Sequence, residues 1–176
     1  MRNLANFLIF QIGWFACVVS ASKGDVWTGA IVASALVGFH LYAVAPASQR
    51  RQQARLIGLT CLLGTLADSG LHGLDVLRYP TSAEAWGWPL TPPWISALWA
   101  LFATLPSHSL GWLKGRRGLA FALGALGGPA SFLAGTYQGV IATGDRPWLT
   151  LVVLSAEYAL FTTWLVCMGE PKAEAR

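Results

Sequence analysis

Five ionisable side chains stand inside stretches of sequence that are otherwise apolar: His40, Asp68, His72, His108 and Glu157. An ionisable group at membrane depth is expensive, so it usually faces the protein interior and marks a functional site. Buried carboxyl groups near imidazoles are suited to proton exchange. We therefore predict a functional cluster in which the candidate catalytic residues are Asp68, His40, Glu157 and His108.

The expected depths of these residues bring several of them together. At about 1.5 Å per residue, His40, Asp68 and Glu157 each lie about 15 to 18 Å from one end of their apolar segment, near one level. Gln11 lies about 12 Å along the first segment and is expected to border the same pocket. Asp68 and His72 are one helical turn apart, which allows a hydrogen bond between carboxylate and imidazole. We predict that Gln11 and His72 contribute to substrate binding.

Other roles for these groups stay open. They could hydrogen-bond one another and set the helix register without any chemistry. Imidazole and carboxylate ligands also suit zinc or iron, and His40 with His108 could ligate a haem. The sequence contains no H-E-x-x-H, no Glu-x-x-His and no repeated His-x-x-x-His motif. Neither a metal nor a cofactor is therefore assigned.

The composition predicts that the segments carrying these residues are membrane spans. The chain is 55% hydrophobic and 11% charged, with a mean hydropathy of +0.51. Apolar stretches of about 20 residues predict an all-α bundle of six transmembrane helices, forming a single transmembrane domain over residues 1–176. The predicted spans are 3–21, 29–47, 56–77, 94–113, 118–141 and 147–168.

Basic residues outside the spans are distributed unevenly between the two sides. Three lie on one side, Lys23, Arg78 and Arg146. Because Lys and Arg are retained on the cytoplasmic face, the bias predicts that both termini are cytoplasmic. Since these charges are not gathered on one water-facing surface, we expect no nucleic-acid partner. The nine on the other side are Arg2, Arg50, Arg51, Arg55, Lys114, Arg116, Arg117, Lys172 and Arg176.

The first span also has features of a cleavable signal peptide. It follows a positive charge and ends in the small residues of Val19-Ser20-Ala21. It also carries the polar residues Asn6 and Gln11, which the apolar core of a cleaved signal peptide does not need. We predict that the span is retained.

Glycine and proline patterns predict two local features. In the fifth span, Gly124 with Gly128 and Gly135 with Gly139 predict close helix packing. Gly127-Gly128-Pro129 predicts an interruption of that helix, either a hinge or a packing bend. The gap 78–93 contains several Pro and Trp residues and predicts a non-helical strap along the outer interface.

The segment NFLIFQIGWFAC at residues 6–17 is distinctive. With Pro93-Trp94, LWALFATL at 98–105 and GALGGP at 124–129, it resembles a bacterial membrane family labelled domain of unknown function 2878, from end to end. The resemblance implies a multi-pass protein of the bacterial inner membrane that keeps its first helix. It also implies an association with enzymes that modify fatty acyl chains, and it supplies no catalytic residues.

Three functional hypotheses follow. The leading one is an accessory protein or enzyme that acts on acyl lipids or another apolar substrate, with membrane lipid as its partner. The second is a small proton-coupled transporter in which Asp68 and Glu157 exchange protons. The third is a membrane scaffold or assembly factor that binds another membrane protein or a second copy of itself. Whether the protein is an enzyme is left open by the sequence.

Overall fold

The computed structural model describes residues 2–82, 86 and 90–169. Its fold is all-α, as predicted. Two short strands, β1 (Leu77–Arg78) and β2 (Ala142–Thr143), pair antiparallel with Leu77 opposite Thr143. The helices are α1 (Arg2–Ala21), α2 (Thr28–Phe39), α3 (Arg50–Gly73), α4 (Pro93–Phe102), α5 (Arg117–Tyr137) and α6 (Pro147–Met168).

Four helices are long and apolar enough to cross a membrane: α1, Ala47–Gly73, α5 and α6. Each turns large apolar side chains outward, including Phe7, Leu62, Leu126 and Leu160. Such faces suit lipid rather than water. The six predicted segments correspond to six helices, and the number that cross the membrane and their orientation remain predictions.

The molecule has a basic end, where α1, α3 and α5 begin. At this end Asn6 of α1 contacts His40 and Thr104, which lie just after the last residues of α2 and α4. At the opposite end, here called the strand end, β1 pairs with β2 and the Thr150 hydroxyl donates to the Val76 carbonyl over 2.9 Å. Lys172 and Arg176, also predicted on the basic side, lie outside the described residues.

The described residues of the strap predicted over 78–93 lie at the strand end. Its first part contains a short 3-10 turn, Pro80–Ser82. Trp94, the first residue after the strap, is fully buried, and its indole donates to the Ser82 hydroxyl over 3.2 Å. Residues 83–85 and 87–89, which include Trp88 and Pro89, lie outside the described residues.

The predicted fourth span, 94–113, is α-helical only in its first half, and a short 3-10 turn, Gly111–Leu113, lies at its end. Helix α4 ends at Phe102 because Pro106, four residues later, has no N–H to give and its ring would clash with the Phe102 carbonyl. The chain then turns, with the His108 N–H donating to the Leu105 carbonyl and the Gly111 N–H to the His108 carbonyl. The first four residues of the turn, 103–106, are buried. Irregular backbone at membrane depth is tolerated where protein surrounds it, as it does here.

A π-helical segment, His40–Val44, extends α2. It is closed by the Ala45 N–H, which donates to the His40 carbonyl over 2.9 Å. π-Helical turns are rare and occur often at functional sites. The segment holds His40 at its first position.

A break in the helix at Gly127-Gly128-Pro129 is wrong, since α5 is continuous through Pro129; a packing bend there stays a prediction. Proline removes the hydrogen bond that residue 129 would give to the carbonyl of residue 125. The Ser155 hydroxyl of α6 donates to that Ala125 carbonyl over 2.7 Å. A neighbouring helix thus satisfies the acceptor that Pro129 leaves free.

Of the two predicted small-residue pairs, only Gly124 with Gly128 serves close helix packing, whereas Gly135 and Gly139 belong to the end of α5. A Cβ at Gly124 or Gly128 would clash with Tyr158, so these glycines let α5 and α6 approach. Gly139 has a positive φ of 71° and ends α5. The Val140 N–H then donates to the Gly135 carbonyl, which is the Schellman pattern.

Helices α5 and α6 form a hairpin beside the bundle of α1 to α4. The hairpin meets the bundle at the strand end through β1 and β2, and at mid-height through aromatic rings. Trp99 of α4 lies with its ring centroid 5.1 Å from that of Tyr158 and 4.6 Å from that of Phe161. At the basic end, Leu113, Ala120 and Val166 pack together. Between these contacts the two parts leave a cavity.

Candidate functional site

A network of polar side chains lies buried near the basic end. The Asn6 amide donates to the Thr104 hydroxyl over 2.9 Å and lies 3.3 Å from His40 Nδ1. Its carbonyl oxygen accepts from the Ser109 hydroxyl over 2.7 Å and from the Ser109 N–H over 3.2 Å. His40 Nε2 lies 3.1 Å from the Gln53 side-chain oxygen. We call these five residues the polar network.

The network determines the tautomer of His40. The Gln53 oxygen can only accept, so Nε2 carries the proton, and Nδ1 accepts from the Asn6 amide. Both ring nitrogens are therefore occupied, and neither is free to hold a haem or a metal in this arrangement. His108 packs edge-on against the His40 ring, with ring centroids 4.8 Å apart.

The second polar group belongs to α3 and α4. The Trp99 indole N–H donates to Asp68 Oδ2 over 2.6 Å. Gly64, one turn before Asp68, leaves room for the Trp99 ring, because a Cβ there would clash with it. Asp68 is only 4% exposed. Helix α3 thus supplies both the buried carboxyl and, at Gly64, the space for the tryptophan that donates to it.

Glu157 of α6 faces the same region. Its carboxyl lies close enough to Asp68 for their charges to interact. Both of its carboxyl oxygens are buried, and neither has a hydrogen-bond partner among the described residues. An unpartnered buried carboxyl is costly, which makes this acid pair, Asp68 and Glu157, different from the polar network.

A cavity of about 310 Å³ lies between the hairpin and the bundle. Its wall is mostly apolar and aromatic, and Asp68 contributes a carboxyl to it. Gly127, an exposed residue of α5, also lines it, so the cavity opens toward the outer surface of the hairpin. Further lining residues are Phe10, Trp14, Trp94, Leu98, Phe102 and Leu123.

Tyr79, just beyond β1, brings a phenol to the same cavity. Burial raises the pKa of this phenol well above its ordinary value, and the nearby Asp68 carboxylate raises it further. The phenol therefore stays protonated and can act as a hydrogen-bond donor. The cavity thus has an acceptor, Asp68, and a donor, Tyr79, on a largely apolar wall.

The structure divides the predicted site residues into two groups instead of one. His40 and His108 meet near the basic end, and Asp68 interacts with Glu157 farther toward the strand end. The predicted common level fails because His40 lies beside Gln53, near the start of α3, whereas Asp68 lies fifteen residues farther along the same helix, about 22 Å away. Whether any of these residues is catalytic stays a prediction.

The two predicted substrate-binding residues, His72 and Gln11, make no hydrogen bond to the acid pair among the described residues. His72 Nδ1 lies 3.0 Å from the Leu77 carbonyl, and its ring packs on Tyr79 at 5.3 Å. The predicted hydrogen bond between Asp68 and His72 is therefore not formed among the described residues. Gln11 is half-buried on α1, and the central cavity is lined by its neighbours Phe10 and Trp14.

Sequence reasoning missed the partners that complete both groups. Asn6 and Gln53 are amides within or beside apolar spans, and that exceptional placement was the available signal. Thr104 and Trp99 gave no comparable signal, because a threonine or a tryptophan in a membrane span is common.

Within residues 2–82, 86 and 90–169, no three His, Cys, Asp or Glu side chains come together as a metal site would require.

Comparison with known proteins identifies a family. The sequence model of the family described as Protein of unknown function (DUF2878) matches residues 3–164. No curated protein and no solved structure matches the chain.

Proposed function

The chain belongs to this family of unknown function, and we propose that it is a bacterial inner-membrane protein that binds an acyl-chain lipid or a similar apolar molecule in the central cavity. It would act there as an enzyme on that molecule or as an accessory protein that presents it to one. The observation that carries the proposal is the cavity itself, an apolar space with one carboxyl in its wall.

The size and lining of the cavity suit such a ligand. At about 310 Å³ it falls at the lower end of the range of about 300 to 1,000 Å³ typical of small-molecule sites, which are also mainly apolar with a few polar groups. Its opening beside Gly127 faces the outer surface of α5, where Leu126 is 73% exposed. A lipid could therefore enter sideways from the bilayer.

The polar groups indicate how the ligand would be oriented. Asp68 Oδ2 is held by Trp99, and the phenol of Tyr79 lies in the same wall. A hydroxyl, carbonyl or ester group of the ligand could bond to this acceptor and donor, while its chain lies along the aromatic residues. Asp68 is the residue best placed for proton transfer to or from the ligand, with Glu157 as its neighbour.

Proton-coupled transport is a second candidate, and the state of Glu157 favours it. A carboxyl with both oxygens buried and unpartnered in the described structure is a natural proton carrier at membrane depth. Transport predicts proton flux into vesicles that contain the protein and a substrate. Lipid binding without flux would favour the first function.

A leucine in the cavity tests the first function directly. Gly127→Leu fills the opening, where a Cβ meets no atom within 4 Å, so the fold should tolerate it. Gly58→Leu on α3 is the matched control, because Gly58 is also exposed, helical and free of neighbours but lies away from the cavity. We expect Gly127→Leu alone to reduce the lipid retained in native mass spectra and to change the lipid profile of cells.

Asp68→Asn separates chemistry from binding. If the protein is an enzyme, this variant should still retain lipid while the cellular lipid profile changes. An unchanged lipid profile with both Gly127→Leu and Asp68→Asn, at normal protein abundance, would refute the proposal.

A further inference from the structure

The buried polar atoms that lack a partner in the described residues separate by chemical type. The oxygens belong to Thr81 and Thr91 near the strand end and to Glu157. The nitrogens all lie at the basic end: Arg50 Nε, Gln53 Nε2 and His108 Nε2. Unsatisfied buried polar groups in a native protein call for an explanation, and a ligand is one.

The three nitrogens belong to side chains that lie around His40. The Gln53 oxygen lies 3.1 Å from His40 Nε2, and the His108 ring packs against the His40 ring. Arg50 precedes Gln53 by three residues on α3, so the two lie on one helix face. Gln53 is 5% exposed and His108 7% exposed, so the unpartnered atoms are not turned to solvent.

These side chains are held in place by their other contacts. Arg50 Nη2 donates to the Tyr42 carbonyl over 2.6 Å, and the guanidinium lies over the Tyr42 ring at 5.1 Å. Its Nε is left without a partner. Gln53 uses its oxygen for His40, which leaves both amide hydrogens of Nε2 to donate.

The surroundings are positively charged. Arg2 and Lys114 lie close enough to His108 to act on its charge. Helix α3 begins at Arg50, directly after a 3-10 turn, Ala47–Gln49, so the positive end of its dipole lies at the same place. A set made of donors and positive charges suits an anion.

We infer that the basic end binds a phosphate group, with the Gln53 amide, the His108 imidazole and the Arg50 guanidinium as its hydrogen-bond donors. The phosphate belongs either to a lipid headgroup or to a free anion. Exposed Trp112 lies at the same end, where amphipathic rings mark the headgroup level of a bilayer. The inference does not rest on the proposed function, since the cavity with Asp68 is lined by other residues.

The test uses the full chain and three probes: phosphatidylglycerol, a diacylglycerol with the same chains but no phosphate, and inorganic phosphate. Gln53→Glu keeps the oxygen that accepts from His40 and replaces the donor with an acceptor. Arg50→Gln removes the charge and Nε. Arg55→Gln is the matched control, because Arg55 is an exposed arginine on the same helix.

We expect phosphatidylglycerol to bind more tightly than diacylglycerol in native mass spectrometry. Gln53→Glu and Arg50→Gln should each lower the affinity for phosphatidylglycerol by about tenfold, and Arg55→Gln should lower it by less than about twofold. If Gln53→Glu fails to fold, the comparison of Arg50→Gln with Arg55→Gln decides alone. Competition by millimolar inorganic phosphate identifies a free anion as a ligand of the same site, and its absence identifies the lipid headgroup.

Equal binding of phosphatidylglycerol and diacylglycerol, or equal effects of Arg50→Gln and Arg55→Gln, overturns the inference. Lipid retention in the cavity, tested with Gly127→Leu, is a separate measurement, so the two proposals can fail independently.

Discussion

Two groups of polar side chains lie inside this apolar molecule, and they differ in how completely their hydrogen bonds are made. In the polar network, Asn6 uses both its amide and its carbonyl, and both nitrogens of His40 are occupied. In the acid pair, Asp68 has one donor, Trp99, and Glu157 has none among the described residues. The satisfied centre of the network, Asn6 with His40, holds helices in register, whereas unused bonding capacity, at Gln53 Nε2 on the edge of the network and in the acid pair, is available to a ligand.

The largest expected effect comes from breaking the hydrogen bonds of Asn6 at the centre of the polar network. Asn6→Ala leaves the Thr104 hydroxyl, the Ser109 N–H and His40 Nδ1 without their partner. We expect the free energy of unfolding in detergent to fall by about 3 kcal/mol. Asn3→Ala, which removes an exposed asparagine from the same helix, is the control and should change it by less than about 0.5 kcal/mol. Equal small effects would mean that the network does not stabilise the fold.

A second satisfied contact extends the comparison to the hairpin. Ser155→Ala removes the donor to the Ala125 carbonyl, which Pro129 cannot bond, and should cost about 1 kcal/mol of unfolding free energy. In a Pro129→Ala background, the restored N–H of residue 129 should make the loss of Ser155 nearly neutral. If Ser155→Ala costs the same in both backgrounds, the hydroxyl does not compensate for the proline.

A substitution in the acid pair should change the stability of the protein much less. Asp68→Asn keeps an oxygen for the Trp99 indole, so we expect the unfolding free energy to change by less than about 1 kcal/mol. Any change that Asp68→Asn causes in the cellular lipid profile should therefore occur at normal protein abundance. Destabilisation as large as that of Asn6→Ala would show that Asp68 stabilises the fold as the polar network does, and the two groups would then not differ in role.

The smallest effect concerns an exposed ion pair at the strand end. Arg78 bonds the Asp75 carboxylate and donates to Asp145 over 3.1 Å. The Arg78 hydrogen bond lowers the pKa of Asp75 below its ordinary value. The pair therefore stabilises the fold above the unfolded-state pKa of Asp75, and this contribution is lost as the pH falls through the lowered value.

Asp75→Asn should accordingly destabilise the protein slightly at pH 7 and not at acidic pH. Asparagine suits this test because Asp75 has a φ of 57°, which Asn tolerates. Thermal unfolding of both proteins across pH, at low and at high salt, checks the prediction. A difference that is independent of pH and salt would show that charge is not its cause.

Sequence reasoning located the helices well but not their irregular parts. The apolar lengths of α1, α5 and α6 agree with the predicted spans. The break after Phe102 and the π-helical segment at His40 were missed, because apolar periodicity does not register a few residues of altered hydrogen bonding. Conversely, Pro129 suggested a break in α5 that does not occur. The Ser155 hydroxyl of α6 bonds to the carbonyl that Pro129 leaves free, and this contact depends on the neighbouring helix, which the local sequence does not show.

The candidate site was predicted in its residues but not in its grouping. Depth estimated from span ends placed His40 beside Asp68, yet α3 begins at Arg50 and not at residue 56, and His40 lies against Gln53, about 22 Å along that helix from Asp68. The fold brought in Trp99 as the donor to Asp68, which no local pattern indicates.

The amino-acid sequence by itself determined the class of the molecule and which residues need explanation, because the cost of a polar group in lipid depends on its type and its apolar flanks. The tertiary structure alone decided which of those groups are satisfied. Hydrogen bonds such as that between Asn6 and Thr104 join residues far apart in the chain, and partners at that distance are set only by how the helices pack.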